Sequence, residues 1–277
     1  MQAANQLRHF YAISDSHALP DDLQGAASLL DAYKFSLINH KSEEAQDKRA
    51  AIAALVEKRL MSKLFHVRGF AQNLIKQNRY LESVAIFDTA AVLHSKLEQP
   101  ESDLRKLRWC VRGMREAAKA MIRDDPNTKA VVRDHVIPIM REKLDQIKST
   151  TQVTEQWQCL QVAWVLHHIE YCEYLVDQWQ EREDTLKTAI SQMRSNFGDE
   201  AKKHRILGHL LNNLGIVHAN ASRMDEASAA FQEAIEVKEE ATDYDNEKKR
   251  QHDIEISENN MKRFERKTRS LSSTSFC

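Results

Sequence analysis

The sequence predicts an all-helical protein, and three observations carry that expectation. Six glycines and four prolines in 277 residues lie well below the averages of about 7% and 5%, while the good helix formers Ala, Leu, Glu, Lys, Gln and Arg abound. Apolar residues return at spacings of three and four along nearly the whole chain. The interruptions fall where cap and turn chemistry places them, giving about twelve helices.

Composition narrows the function classes. A hydrophobic content of 42% is enough for a sizeable core. The 40 basic and 41 acidic side chains nearly cancel, so net charge gives no pull toward nucleic acid, and none is expected as a partner. No apolar run approaches the ~20 residues that span a bilayer. The opening MQAANQLRHFYA has no basic segment followed by an apolar one. Membrane insertion is therefore not expected, and a cytoplasmic or nuclear location is. Cys110, Cys159, Cys172 and Cys277 form no CxxC pair and no disulfide framework, which fits free thiols in a reducing compartment.

The elements follow in order. Pro20-Asp21-Asp22 opens a helix whose apolar side holds Leu23, Ala26, Ala27, Leu30 and Phe35, because a proline and acids suit a first turn. Ser42-Glu43-Glu44 opens the next. From Ala45 to Gln77 there is no strong breaker, so one long helix or two meeting near Met61 fit. Asn78 ends that run, Tyr80 to Leu97 is helical up to Pro100, and Asp103 to Arg123 follows until Asp124-Asp125-Pro126. Thr128 to Lys148 is expected to kink at Pro138. Two helices fill Thr154 to Arg194, Asn196-Phe197-Gly198 turns, and two more fill Lys202 to Ala241. Asn246 to Lys267 is polar with an apolar thread of Ile254, Ile256, Met261 and Phe264, as in a solvated capping helix. Residues 1–267 thus form one helical-repeat domain, and the Ser-rich 268–277, without periodicity, is expected to be disordered.

Internal similarity points to the architecture. In LNNLGIVHANASRMDEASAAFQEAIEVKEE, residues 211–240, Leu214-Gly215 is followed by Ala227, Phe231 and Ala234. Small residues at 215 and 227 would suit paired helices that cross closely, an aromatic at 231 a wedge, and a small residue at 234 the approach of a next pair. This segment resembles a tetratricopeptide repeat. A weaker copy spans Leu64 to Leu93, with Asn78-Arg79-Tyr80 as its turn, Ser83, Phe87 and Ala90 as small, aromatic and small, and Ala71 in place of the glycine. Arg182 to Met193, with Leu186, Ala189 and Ile190 on one side, reads as a further second helix. The two phenylalanines are 144 residues apart, not a whole number of 34-residue repeats, so the intervening units are longer or irregular. The resemblance implies a right-handed superhelix of antiparallel hairpins, since at least ~3 stacked units are needed to bury a hairpin's apolar face. A compact bundle with one fortuitous repeat is the competing architecture.

The resemblance also implies a function: an adaptor or scaffold without enzymatic chemistry, whose first helices line a groove for a partner peptide or helix. Carried over, the groove residues are Phe65, Arg68, Gln72 and Lys76 in the early copy and His209, Asn212, Asn213 and Asn220 in the late one. Asn213 is the foremost, because an amide both donates and accepts. A solvated polar face, or asparagines bonded to a neighbouring helix, is the plainer alternative, and a permanent subunit of a larger assembly is the alternative function. Separately, Arg105, Arg108, Arg112, Arg115, Lys119 and Arg123 recur at three and four beside the apolar stripe Leu104, Leu107, Val111, Met114 and Ala118. They suit an acidic or phosphorylated partner, or pairing with acids such as Glu98, Glu101 and Glu116. Ser270 and Ser272 follow Arg266, Lys267 and Arg269 in a basic-before-serine pattern that suits phosphorylation. His168 and Cys172, four apart, match metal spacing, while Trp164, Leu166, Ile169 and Tyr171 around them suit packing. No phosphate loop, dinucleotide fingerprint or nucleophile elbow occurs, and no metal or cofactor is expected.

Overall fold

In the computed structural model of the protein, the described residues are 69, 71–94, 100–150 and 156–274, and among them there is no strand. The helical run 71–76 precedes nine α-helices: α1 (Tyr80–His94), α2 (Pro100–Asp124), α3 (Lys129–Val131), α4 (Ile137–Thr150), α5 (Gln156–Leu175), α6 (Trp179–Phe197), α7 (Arg205–Asn220), α8 (Met224–Glu240) and α9 (Glu247–Thr274). About twelve were expected along the whole chain, and those expected between residues 20 and 68 lie outside the described residues. The chain divides into two compact units, Met1–Pro126 and Asn127–Cys277, where the sequence reads as one domain.

The first unit holds 71–76, α1 and α2. Pro100 opens α2, where its missing N–H is not needed. The predicted apolar stripe Leu104, Leu107, Val111, Met114 and Ala118 is buried throughout. Phe87 of α1 fills the space over Gly113 of α2, where a Cβ would stand 2.3 Å from its ring. Trp109 meets the same ring edge-on, with centroids 6.0 Å apart. Gly113 is thus required by close approach.

In the second unit, the helix around Pro138, where a kink is expected from the sequence, changes its winding just before the proline. Val132–Val136 forms a π-helical turn, in which the Ile137 N–H donates to the Val132 carbonyl. Pro138 has no N–H for the carbonyl four residues before it, and the wider turn absorbs that loss. Downstream, α5 packs on α6 and α7 on α8, and α9 lies mainly against α8. Phe231 of α8 meets Phe264 of α9 at 6.2 Å.

Three helix–turn–helix pairs close through the same turn. Asn78, Asp177 and Ser222 have φ of 61°, 60° and 59°, the left-handed region that ends helices. After each, the next N–H reaches back five residues: Arg79 to the Leu74 carbonyl, Gln178 to Glu173 and Arg223 to His218, all at 2.9 Å. The common turn fixes a common register. Five residues after it stand Ser83, Arg182 and Ala227; nine after, Phe87, Leu186 and Phe231; twelve after, Ala90, Ala189 and Ala234. All nine are buried. Seven residues before it, facing the first set, stand Ala71, Glu170 and Gly215. The outer pairs are small on small: Ser83 Oγ donates to the Ala71 carbonyl at 2.9 Å, and a Cβ on Gly215 would stand 2.7 Å from the Phe231 ring. The middle pair is an ion pair. Between the turns at Asp177 and Ser222, α6 is followed by a 3₁₀ segment, Gly198–Lys203, that lengthens the connection to α7.

Two expectations for α9 need correction. Ile256 is 40% exposed, and Ser257 takes the buried position beside Ile254 and Phe264. Residues 254 and 256 stand about 200° apart around a helix and cannot share its buried side. The helix also continues through Thr274, so Ser270 and Ser272 stand in its last turns, where a disordered 268–277 was expected.

Ala227 has no exposed surface, so Ala227→Leu should overpack the α7–α8 crossing and cost about 1–3 kcal/mol. Urea unfolding is the measurement, with the neighbouring exposed Ser228→Leu as control; equal stability of the two variants would refute the crossing.

Candidate functional site

Arg205, His209 and Asn213 recur every fourth residue of α7 and so share one face. Against it α5 brings Trp164 and His167. The His167 and His209 rings stack at 5.8 Å and 21°, and Trp164 lies 5.9 Å from His209. The Arg205 guanidinium stands over both Trp164, at 5.6 Å, and Tyr244, at 5.7 Å. From α9, Asp253 comes within 3.5 Å of His209 Nε2. The face is aromatic, and its cation is paired: Asp245 stands 3.4 Å from the Arg205 guanidinium.

A continuous hydrogen-bond chain lies beneath it. Lys238 Nζ of α8 donates to Ser257 Oγ of α9 at 2.7 Å, and Ser257 donates to Asn212 Oδ1 of α7 at 3.0 Å. Asn212 Nδ2 donates to Asn213 Oδ1 at 3.1 Å, and Asn213 Nδ2 to Glu170 of α5 at 2.6 Å. Arg182 Nε of α6 completes the chain, donating to the other Glu170 oxygen at 2.9 Å. Five helices are joined through side chains, with a cation at each end.

Electrostatics sets the protonation states. Burial pushes the Glu170 carboxyl upward, but His167 and Arg182 outweigh it and hold the group below the usual range. Glu173, one turn on, goes the other way: burial raises it, the like charge of Glu170 adds to that, and Arg141 and Thr185 compensate only in part. His209 is held well below its ordinary value, first by burial and then by His167, Lys238, Arg205 and Lys249, so it is neutral near pH 7. Burial lowers the Lys238 ammonium to about 8, against the pull of Asp253.

The predicted residues fare unequally. His209 lies on the face. Asn212 is buried, accepting also from Asn260 at 3.1 Å, and Asn213 is half-buried and bonded to Glu170. Their expected place on an open stripe is therefore corrected: the amides pair across helices. Gln72, Lys76 and Asn220 are exposed. Phe65 and Arg68 lie outside the described residues. Of the arginine stripe, Arg105, Arg112, Lys119 and Arg123 are exposed and Arg108 and Arg115 half-buried; Arg115 pairs with Glu116, and Arg123 with Asp124 at 2.8 Å. His168 and Cys172 are buried, with Cys172 Sγ 3.8 Å from Met140 Sδ. No group of three or more His, Cys, Asp or Glu suited to a metal occurs among the described residues. Trp164, Arg205, Tyr244 and Asp253 were not foreseen as part of the face; the four-residue spacing of Arg205 from His209 was the available signal.

No family model matches the chain, and no curated protein matches it. Among solved structures it is similar to the crystal structure of BtubC (BKLC) from P. vanneervenii, with 10% identity over 92% of this chain and 93% of that one and a TM-score of 0.46. No helix of the described residues is long and apolar enough to cross a membrane.

Glu170→Ala leaves the Arg182 guanidinium buried without its carboxylate and should cost about 3–5 kcal/mol. Adding Arg182→Ala recreates the small-on-small crossing of the other pairs and should recover part of that loss. Chemical unfolding measures both, and a double variant no more stable than the single would refute the pairing.

Lys238 gives a pH signature. Its folded pKa of about 8 lies below the ordinary 10.5, so between those values the unfolded chain holds more protons and stability rises with pH. The cost of burying the charge is complete below pH 8, at about 3 kcal/mol from ~1.4 kcal/mol per unit. Relative to Lys238→Met, the wild type should therefore gain stability from pH 7.5 to 9.5. A pH-independent difference between them would show that the ammonium is not desolvated.

Proposed function

We propose that the chain is a non-enzymatic interaction scaffold, a right-handed solenoid of tetratricopeptide-like hairpins that holds a peptide or helix of another protein. The supporting observation is the register shared by the three left-handed turns at Asn78, Asp177 and Ser222. Three pairs with buried residues at equal distances from equal turns, small, large and small in the outer two and Arg182, Leu186 and Ala189 in the middle one, suit stacked repeats. In such an array the first helices of successive hairpins present neighbouring faces. Here α5 and α7 carry Trp164, His167, Arg205 and His209, and α9 borders them. Rings with a cation and a neutral imidazole offer contact area and hydrogen bonding at small entropic cost.

The test is a photo-reactive residue placed at His209 and, separately, at the exposed Thr188 of α6, followed by crosslinking in cells and mass spectrometry. The expected result is a discrete partner adduct from position 209, absent from 188, and weakened about tenfold by Trp164→Ala without loss of helical content. Equal adducts from both positions would refute the assignment of this face.

A further inference from the structure

The cations of α2 remain outside that reading, because they stand in the first unit. Arg105, Arg108, Arg112, Arg115 and Lys119 follow one another at three, four, three and four residues, the spacing of a coiled-coil seam, with cations where a seam has apolar residues. Arg105, Arg112 and Lys119 are exposed. None of these three makes an ion pair or hydrogen bond among the described residues, whereas Arg115 and Arg123 are held by Glu116 and Asp124. The helix beneath them is immobilised: Cys110, Val111, Met114, Ala117 and Ala118 have no exposed surface. The three uncompensated charges thus form a straight row with steps of about 10.5 Å, seven residues at 1.5 Å each.

We infer that this row is a docking surface for an acidic α-helix of a partner protein, laid along α2 with carboxylates at heptad spacing. A helix fits because its own seven-residue repeat matches the row, so each guanidinium or ammonium meets one Asp or Glu without strain, as flanking charges do between paired helices. A nucleic-acid backbone presents phosphates at closer intervals than this row. A membrane surface would call for apolar residues among the cations, and the row has none.

The experiment uses the full-length protein and a fluorescent helical peptide of about 21 residues with glutamate at alternating three- and four-residue spacing. A scrambled peptide of equal composition, a DNA duplex and vesicles containing phosphatidylserine are the comparison probes. The ordered peptide should bind with an affinity that falls as salt rises from 0.05 to 0.5 M, and about tenfold or more above the scrambled one. Arg105→Glu/Arg112→Glu/Lys119→Glu, changing only exposed side chains, should abolish that preference and leave the circular dichroism spectrum unchanged. Equal affinity for the two peptides, preference for DNA or vesicles, or undiminished binding by the triple variant would overturn the inference. If the triple variant loses helicity, single reversals at Arg105 and Arg112 decide the matter, each expected to weaken the ordered peptide and spare the scrambled one.

Discussion

Everything regular in this structure depends on one steric condition: the residue seven before each left-handed turn and the residue five after it must share the space of a single helix crossing. The turn is short and its hydrogen bonds reach back a fixed distance, so it leaves almost no freedom in where the second helix lands. Small side chains stand at these places in the outer pairs, where Ser83 bonds the Ala71 carbonyl and the Phe231 ring closes over Gly215 next to the buried Ala227. At Glu170 and Arg182 the condition is met by extending both side chains along the interface until their charges join. Bringing both charges out of water is costly, and the cost is offset only because further groups complete the coordination. Asn213 supplies that completion for Glu170 by donating at 2.6 Å, and His167 Nδ1 stands 3.1 Å from the same oxygen.

That exception explains why asparagines foreseen as partner contacts turned inward. A buried carboxylate in one pair creates demand for donors on the next, and Asn213 answers it from α7. Its own carbonyl then needs a donor, which Asn212 provides, and Asn212 in turn accepts from Ser257 and Asn260 of α9. The chain ends at Lys238, whose ammonium finds room because Gly208 has no side chain: a Cβ there would meet the lysine stem at 2.7 Å. One departure from the small-residue rule has thus propagated through three helix interfaces.

The sequence was legible where burial follows periodicity. The stripe from Leu104 to Ala118, and Gly215, Ala227 and Phe231, are buried as their spacing suggests, because apolar packing is local to a helix face. The middle pair was only half legible: Leu186 and Ala189 follow the pattern, but charged residues at 170 and 182 read as surface until the turn at Asp177 aligns them with the other pairs. A polar stripe carries no record of which polar group it meets, so Asn212 on an internal network and Gln72 in solvent look alike in sequence. Ile256 leaves the apolar thread for a simpler reason: two residues from Ile254 on a helix, it stands on another side, and 40% of it is exposed.

The network also bears on how the face above it can serve recognition. His209 and Arg205 sit on side chains and backbone tied to five helices, and Asp243 accepts the Arg205 N–H at 2.8 Å at the start of α7. Groups so held lose little freedom when a partner arrives, and ordering cost is what separates interfaces of equal area but unequal affinity. An apolar interface of the same extent would stabilise the fold at least as well. What the polar one adds is fixed direction: each hydrogen bond sets an angle as well as a distance, so His167, His209 and Trp164 are presented in one arrangement. The buried charges at Glu170 and Lys238 thus hold three aromatic rings and a guanidinium in one arrangement, which is what the proposed docking face needs.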